Sequence, residues 1–281
     1  MEYVELNNGV KMPMLGYGVF QVPNNETERC VSDALSVGYR LIDTAQAYGN
    51  EEGVGAAIAK SDVAREELFI TSKIWISNAG EEKAAASIDE SLRKLGTDYI
   101  DLMLIHQPLS DYYGTYRAME RAYEEGKLRA IGVSNFYPDR LVDLCNFAKI
   151  PPMVDQIETH VFMQREEDHK VMEEYHVAHE AWAPFAEGRN DLFSNPVLVA
   201  IGAKHGKSSA QVALRFLIQS GVVVIPKSTH IERMEQNFDV FDFALDASDM
   251  DAIHALNEEK SQFFSHYDPK TVQYLADMGK N

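Results

Sequence analysis

Eight short apolar runs, separated by segments of helical period, constrain the fold of this chain more than any other feature. Each run has the length of one buried strand, and the runs cover residues 14–20, 39–43, 68–74, 99–106, 129–134, 152–158, 179–183 and 222–226. Between the third and fourth runs, apolar residues recur at helical spacing until Gly96 ends the pattern. Before the eighth run, Ser208 and Gln211 fit a capping box at the start of another helix. Alternating strands and helices predict a parallel sheet with helical crossovers.

Two architectures contain such units, an open doubly wound sheet and a closed (β/α)8 barrel, and the count of eight in 281 residues favours the barrel. Polar residues at the carboxyl ends of different runs support this choice, because those ends form a ring only in a barrel. The residues concerned are Asp43, Lys73, His106, Ser134, Asn135, Gln156, Trp182, Lys227 and Ser228. We therefore predict an α/β fold, a (β/α)8 TIM barrel that forms a single domain over residues 1–281.

Two additions to the barrel are expected at the ends of the chain. The start is predicted to form a short N-terminal β-hairpin that turns at Asn8 and Gly9, a strong turn pair. The segment after Asn257 is expected to form one wall of a substrate pocket with Phe263, Phe264 and Tyr267.

Charge and composition exclude several classes of function. The formal net charge of −18, without a basic cluster, argues against nucleic-acid binding, and an anionic ligand would need a local basic patch. No apolar run is long enough for a membrane span, no secretory signal is visible, and the two cysteines are too few for a disulfide framework. We expect a cytoplasmic monomer. We expect no metal site, because no metal-ligand spacing occurs.

Four polar residues form a candidate catalytic tetrad, namely Asp43, Tyr48, Lys73 and His106. Each has an ordinary structural explanation when it is taken alone. Together at one barrel mouth, they fit an acid catalyst. A phenol of pKa near ~10 donates poorly at neutral pH, and a cation about 4 Å away is expected to lower that pKa by ~1–3 units. Lys73 could be that cation, Asp43 would keep it charged, and His106 would orient a carbonyl.

Long motifs that include this tetrad resemble those of the aldo-keto reductase family over essentially the whole chain. The segments "GYRLIDTAQAYGNE", "ITSKIW" and "YIDLMLIHQP" resemble those that carry the family's Asp, Tyr, Lys and His. "IGVSNF" resembles its cofactor-amide segment, and "IPKSTHIERMEQNFDVFDF" its phosphate-binding segment. "AWAPFAEG" and "SQFFSHYDP" look most like the prokaryotic 2,5-diketo-D-gluconate-reductase-like branch.

The resemblance implies a role for individual residues around an NADPH/NADP+ cofactor. Tyr48 would be the proton donor, and Phe20, Tyr48, Trp75 and His106 would line the substrate side. The implied cofactor contacts are Val19, Asp43, Ser134, Asn135, Gln156, Trp182, Lys227, Ser228, Thr229, Arg233, Gln236 and Asn237. Three positions depart from the family pattern: Gln236 where Glu is common, Ala183 where Ser is frequent, and Asp155 where Asn is usual.

The expected activity is NADPH-dependent reduction of small aldehydes and ketones, including dicarbonyls and keto-sugars, with Tyr48 as general acid. One alternative is an NADPH-binding sensor or structural protein on the same barrel, with vestigial catalysis. Another is an isomerase or aldolase that acts on a phosphorylated substrate through Lys73 or Lys227, and this alternative would not bind a nicotinamide.

Overall fold

Eight parallel strands follow one another around a barrel in the computed structural model, which describes residues 1–280. A separate antiparallel pair precedes them. The hairpin strands are β1 (Tyr3–Glu5) and β2 (Lys11–Pro13), and the barrel strands are β3 (Gly16–Gly18), β4 (Leu41–Asp43), β5 (Phe69–Ile74), β6 (Leu102–Ile105), β7 (Ile131–Ser134), β8 (Val154–Glu158), β9 (Ala178–Trp182) and β10 (Val223–Val224). Each barrel strand coincides with one of the eight apolar runs, and only β9 starts one residue earlier than its run, so the predicted strands are confirmed.

The barrel closes between its first and last strands. A parallel bridge joins Leu15 to Val224, and the Val224 amide donates to the carbonyl of Met14 at 3.0 Å. The last strand is shorter than its apolar run and ends before Pro226, which has no N–H to donate to a sheet. Closure confirms the (β/α)8 barrel over the open sheet and brings the carboxyl ends of all eight strands to one end, called the mouth below.

Eleven helices occur in the described part of the chain, most of them packed around the strands. They are α1 (Asn24–Val37), α2 (Glu51–Lys60), α3 (Glu81–Leu95), α4 (Tyr112–Glu124), α5 (Pro138–Phe147), α6 (Glu166–Glu174), α7 (Pro196–His205), α8 (Ser209–Gln219), α9 (Ile231–Phe238), α10 (Ala247–His254) and α11 (Pro269–Met278). The capping box of Ser208 and Gln211 is present at the start of α8. Gly96 ends α3 in the left-handed conformation that glycine favours.

The hairpin and the core also agree with the sequence. Tyr3 pairs with Pro13 across the antiparallel strands, and the Leu6 amide donates to Val10 across the turn at 2.8 Å. Every residue of β4 to β8 is buried, because the barrel interior covers one face of each strand and helices cover the other. No helix within residues 1–280 combines the length and apolar composition that a membrane span requires.

Candidate active site

A buried ion pair lies at the centre of the mouth. Asp43 ends β4 and Lys73 lies in β5, so the parallel pairing of these strands places the two side chains in neighbouring positions. The Lys73 ammonium is 2.6 and 2.8 Å from the two carboxylate oxygens of Asp43 and also donates to the Thr44 carbonyl at 3.0 Å. Burial disfavours the charge on Lys73, but Asp43, with smaller contributions from Tyr48 and Glu180, reverses this effect, and the pKa of the ammonium is raised. Lys73 is therefore a fixed cation.

Tyr48 reaches this cation from a short 3-10 turn, Gln46–Tyr48, that follows β4. Gly49 ends the turn with a φ of 66°. Asn50 then fixes the chain through side-chain donation to the carbonyls of Val19 and Val22, at 3.0 and 3.2 Å. The chain therefore turns sharply into α2 at Gly49 and Asn50. This geometry brings the phenol oxygen of Tyr48 to 3.4 Å from Lys73 Nζ.

The expected net lowering of the Tyr48 pKa is wrong for this structure. Burial of the hydroxyl end raises the pKa of the phenol, Lys73 lowers it, and the negative charge of Asp43 works against Lys73. The sum is a pKa above the usual value for a tyrosine. The phenol therefore keeps its proton at neutral pH, which a proton donor must do until negative charge develops on its acceptor.

His106 follows β6 and completes the tetrad at close range. Its ring packs edge-on against Tyr48 and Trp75, with ring centroids 5.6 and 5.1 Å apart. Burial and the nearby Lys73 lower its pKa well below the usual value, so the imidazole is neutral. Phe20 lies over Tyr48 at 5.0 Å and is 51% exposed. The predicted substrate-side residues thus form one cluster around the Tyr48 ring.

Four of the predicted cofactor contacts, Ser134, Asn135, Gln156 and Trp182, form a continuous polar row. Gln156 Nε2 donates to Asp43 at 2.9 Å, and Asn135 Nδ2 donates to the carbonyl of His106 at 3.1 Å. Ser134 Oγ donates to the Gln156 carbonyl at 2.8 Å, and Trp182 Nε1 donates to Asn135 Oδ1 at 3.0 Å. Three strands, β7, β8 and β9, are thus tied to the tetrad by hydrogen bonds.

A basic loop follows β10 and leads into α9. Lys227 and Arg233 are exposed, and neither forms an ion pair with another described residue. His230 precedes α9 without a side-chain cap, so the first amides of that helix remain available to an anion. The loop is held from below, because the buried Tyr17 phenol donates to the Ser228 carbonyl at 2.5 Å. This loop is the local basic patch that a chain of net charge −18 needs for an anionic ligand.

The remaining predicted cofactor contacts lie around this loop and the first strand. Thr229 follows Ser228, and the buried Asn237 and the exposed Gln236 lie on α9. Val19 is buried, and its amide donates to the Asp43 carbonyl at 3.0 Å. All of these positions adjoin the carboxyl ends of β3, β4 and β10, as the barrel prediction requires.

The C-terminal segment covers part of the mouth, but not with all three predicted aromatic residues. Phe263 meets the Trp182 ring edge-on at 5.2 Å, and Phe264 stacks on it at 5.7 Å. Tyr267 instead packs on Tyr137, with ring centroids 4.7 Å apart. The segment therefore borders Trp182 through its two phenylalanines, and Tyr267 does not join them.

Three residues near the site were not singled out from the sequence. Gln46 ties the Tyr48 turn to β5 by accepting from the Trp75 amide at 3.0 Å. Tyr17 and Glu180 lie inside strands that the sequence pattern indicates only as apolar runs. A glutamate within a buried strand was a visible signal, because carboxylates rarely lie in such positions. Gln46 carried no comparable signal.

The chain matches the family model described as "Aldo/keto reductase family" over residues 13–258. It is 49% identical over 259 residues to the glyoxal reductase of Bacillus subtilis (strain 168), covering 92% of this chain and 93% of that protein. Among solved structures, MGS-M4, an aldo-keto reductase from a Medee basin deep-sea metagenome library, superposes with a TM-score of 0.92 at 47% identity, covering 94% of this chain and 98% of that one.

A second solved structure, a Bombyx mori aldo-keto reductase in complex with NADP, has a TM-score of 0.89 at 34% identity. It covers 94% of this chain and 95% of that one. The narrower branch expected from the sequence stays a prediction. The chain belongs to the aldo/keto reductase family and is an oxidoreductase.

Proposed function

We propose that this chain reduces small aldehydes and ketones to alcohols with NADPH, and that Tyr48 is the general acid. The observation that carries the proposal is the position of the Tyr48 phenol oxygen. It lies 3.4 Å from the Lys73 ammonium, and the Tyr48 ring packs beside a neutral His106. A protonated phenol next to a fixed cation can give up its proton when negative charge appears on a neighbouring oxygen.

The residues of the mouth fit NADPH, which supplies a hydride when bound. The exposed Lys227 and Arg233, with the uncapped start of α9, suit the 2′-phosphate of the adenosine half. The amides of Asn135 and Gln156 and the hydroxyl of Ser134 suit the carboxamide, and Trp182 offers an aromatic face to the nicotinamide ring. Solved relatives in complex with NADP and with NADPH support this choice of cofactor.

Each member of the tetrad then has a distinct task. Tyr48 transfers its hydroxyl proton to the carbonyl oxygen of the substrate, so that the substrate gains one hydride and one proton in all. Lys73 stabilises the phenolate left behind, and Asp43 keeps Lys73 charged. His106, being neutral, donates an N–H to the same carbonyl oxygen and orients it.

The walls of the site favour compact carbonyl compounds. Phe20 and Trp75 flank Tyr48 and His106, and the C-terminal phenylalanines border Trp182. The similar Bacillus subtilis protein is a glyoxal reductase, which supports dicarbonyls as one substrate class here. Keto-sugars belong to the same proposal.

The direct test is NADPH oxidation by the purified chain with methylglyoxal, with the alcohol product identified. We expect turnover that depends on both reactants. Binding of NADPH without turnover of any carbonyl in a panel of small aldehydes, ketones and keto-sugars would favour the sensor alternative. Failure of NADPH to quench tryptophan fluorescence would contradict the cofactor assignment and favour the enzyme acting on a phosphorylated substrate.

Other sequence-based expectations stay predictions. We propose a single domain, and the continuous cluster of buried apolar residues from Leu6 to Ile253 supports it. A monomeric state and a cytoplasmic location stay predictions without further support.

A further inference from the structure

Glu180 is a buried carboxyl group that the proposed mechanism does not use. It lies in the middle of β9, where its backbone pairs with Gln156 of β8 and Val223 of β10. Its exposed fraction is 0%, and neither carboxyl oxygen has a hydrogen-bond partner among residues 1–280. Because side chains alternate along a strand, Glu180 faces the same side as Trp182, towards the barrel interior. It therefore lies one layer below the mouth.

The charged groups that shift the pKa of Glu180 are members of the tetrad. The negative charge of Asp43 comes from β4, the positive charge of Lys73 from β5, and Glu180 in turn acts on Tyr48. From β8, Gln156 approaches Glu180, but its Nε2 is directed at Asp43 at 2.9 Å. The neighbouring β10 consists of Val223 and Val224 and brings no charge. Glu180 is thus a second carboxyl group for a cation that already has a closer partner.

Burial and the charge of Asp43 raise the pKa of the Glu180 carboxyl to about 8, although Gln156 and Lys73 oppose them. The group is therefore protonated at neutral pH. In that state Asp43 and Lys73 balance each other, and the site beneath Tyr48 carries no net charge.

We propose that Glu180 is a positioning residue that sets the electrostatic balance around Tyr48, neutral while the enzyme reduces carbonyls and inhibitory once it ionises. This inference rests on the proposed function. The neutral form leaves Lys73 free to stabilise the phenolate of Tyr48. The ionised form adds a negative charge that the one cation of the tetrad must share.

Ionisation of Glu180 affects both the Tyr48 oxygen that gives up the proton and the substrate carbonyl oxygen that accepts it. It raises the pKa of Tyr48, which makes the phenol a weaker acid. It also disfavours negative charge on the carbonyl oxygen of the substrate. Reduction should therefore slow as the pH rises through the ionisation of Glu180, while Tyr48 itself is still protonated.

Glu180→Gln tests this inference, because the amide has the shape of the neutral carboxyl and cannot ionise. Single-turnover oxidation of bound NADPH by methylglyoxal is measured from about pH 6 to about pH 9, so that product release does not mask the proton step. We expect the rate of the unaltered chain to fall by about fivefold over the upper part of this range. The variant should vary by less than about twofold and match the unaltered chain near pH 6.

Asp155→Asn is the matched control, because Asp155 is another buried acid on the neighbouring strand β8. Both of its oxygens lack a hydrogen-bond partner within the described residues, but strand alternation turns it away from Gln156 and the tetrad. The groups acting on it are the Phe136 amide, Asp168 and Arg165. This substitution should leave the pH profile of the rate unchanged.

Profiles that superimpose for Glu180→Gln and the unaltered chain would overturn the inference, and so would equal flattening by Asp155→Asn. Glu180→Ala, which removes the ionisation without keeping the shape, should also flatten the profile if the glutamine variant folds poorly. If it does not, the inference fails. Absence of NADPH oxidation by the unaltered chain at every pH would instead overturn the proposed function, and this inference with it.

Discussion

At the scale of single residues, the buried carboxyl groups of the barrel differ in whether a cation is in contact with them. Asp43 is paired with Lys73, and Asp101 lies between Arg65 and Arg129, each 2.7 Å away. Asp155 has no such cation in contact, and the Phe136 amide points towards it without reaching hydrogen-bonding geometry. A buried carboxylate without a partner costs stability, so burial favours the protonated form of Asp155 and raises its pKa.

Replacing Asp155 by Asn should therefore stabilise the protein, and more so as the pH rises. Burial raises the pKa of Asp155 well above its ordinary value. The folded state thus holds a proton that the unfolded state has released, and stability falls by about 1.4 kcal/mol per pH unit between the ordinary and the raised pKa. The Asn variant lacks this loss, and its advantage in free energy of unfolding should exceed about 1 kcal/mol at pH 8.

Urea denaturation of both proteins at about pH 6 and about pH 8 measures this effect. Asp101→Asn is the opposite case, because it leaves Arg65 and Arg129 without their shared carboxylate, and it should destabilise at both values. An advantage of Asp155→Asn that did not grow with pH would contradict the protonated state of Asp155.

The sequence predicts the tetrad at this scale, because Asp43, Lys73 and His106 each lie at or next to the end of an apolar run. It could not predict the direction of the Tyr48 pKa shift. That direction depends on the balance of burial, Lys73 and Asp43, and burial is set by residues distant in the chain. Glu180 shows the same limit, since its charge state depends on contacts that only barrel closure creates.

At the scale of elements, the loop after β10 is held by β3, the strand that meets β10 at the seam where the barrel closes. The Tyr17 phenol of β3 donates at 2.5 Å to the carbonyl of Ser228, the residue that follows Lys227. Gly18 allows β3 to lie close to the start of this loop, because a Cβ at that position would lie 2.8 Å from the Ile225 carbonyl oxygen. The seam of the barrel therefore also positions the proposed phosphate site.

Tyr17→Phe should weaken NADPH binding without affecting the chemical step. The lost hydrogen bond costs about 1 kcal/mol and frees the loop that carries Lys227 and Ser228, so KM for NADPH should rise by about three- to tenfold. The kcat with methylglyoxal should stay within about twofold, because Tyr17 does not contact the tetrad. Steady-state kinetics with varied NADPH measures both values.

Tyr116→Phe is the control for this prediction. Tyr116 is also a buried tyrosine, but its hydroxyl has no partner in the part of the chain that the structure describes. Its substitution should change neither KM nor kcat. An unchanged KM in Tyr17→Phe would show that the loop does not depend on this hydrogen bond.

Local sequence signals predicted elements best where the chemistry is local. Ser208 and Gln211 form the predicted capping box, and Gly96 ends its helix, because both features depend on neighbouring residues. The C-terminal segment was predicted less well. Tyr267 packs on Tyr137, a residue of a distant loop, and no local pattern indicates that contact.

At the scale of the whole molecule, the charge distribution limits where an anionic cofactor can bind. The formal net charge of −18 repels anions in general, so an anionic cofactor must find its binding groups in a small region. Lys227 and Arg233 supply such a region, and both are free of ion pairs within residues 1–280.

Arg233→Ala should reduce the preference for NADPH over NADH. A charge-assisted hydrogen bond contributes about 1.5–3 kcal/mol, so the ratio of the two affinities should fall by about tenfold or more. The effect should shrink at high salt, because the site is exposed. Fluorescence titration with each cofactor measures the ratio.

Arg93→Ala provides a control at an exposed arginine that is paired with Glu90 on α3. It should leave the affinity ratio unchanged. Equal ratios in Arg233→Ala and the unaltered chain would remove Arg233 from the cofactor site.

The overall architecture was predictable because eight strand and helix units of this length close most readily into a barrel. Closure at the bridge between Leu15 and Val224 confirms that reasoning. The interior charges were less predictable, because the sequence shows which residues face inwards but not which of them meet across the barrel.

The central claim is that Tyr48 donates the proton, and Tyr48→Phe tests it most directly. The substitution removes one hydroxyl and keeps the ring that packs against Phe20 and His106. With methylglyoxal, kcat should fall by at least about 100-fold, while NADPH still quenches tryptophan fluorescence with unchanged affinity. A kcat within about twofold of the unaltered chain, at normal NADPH affinity, would contradict the account.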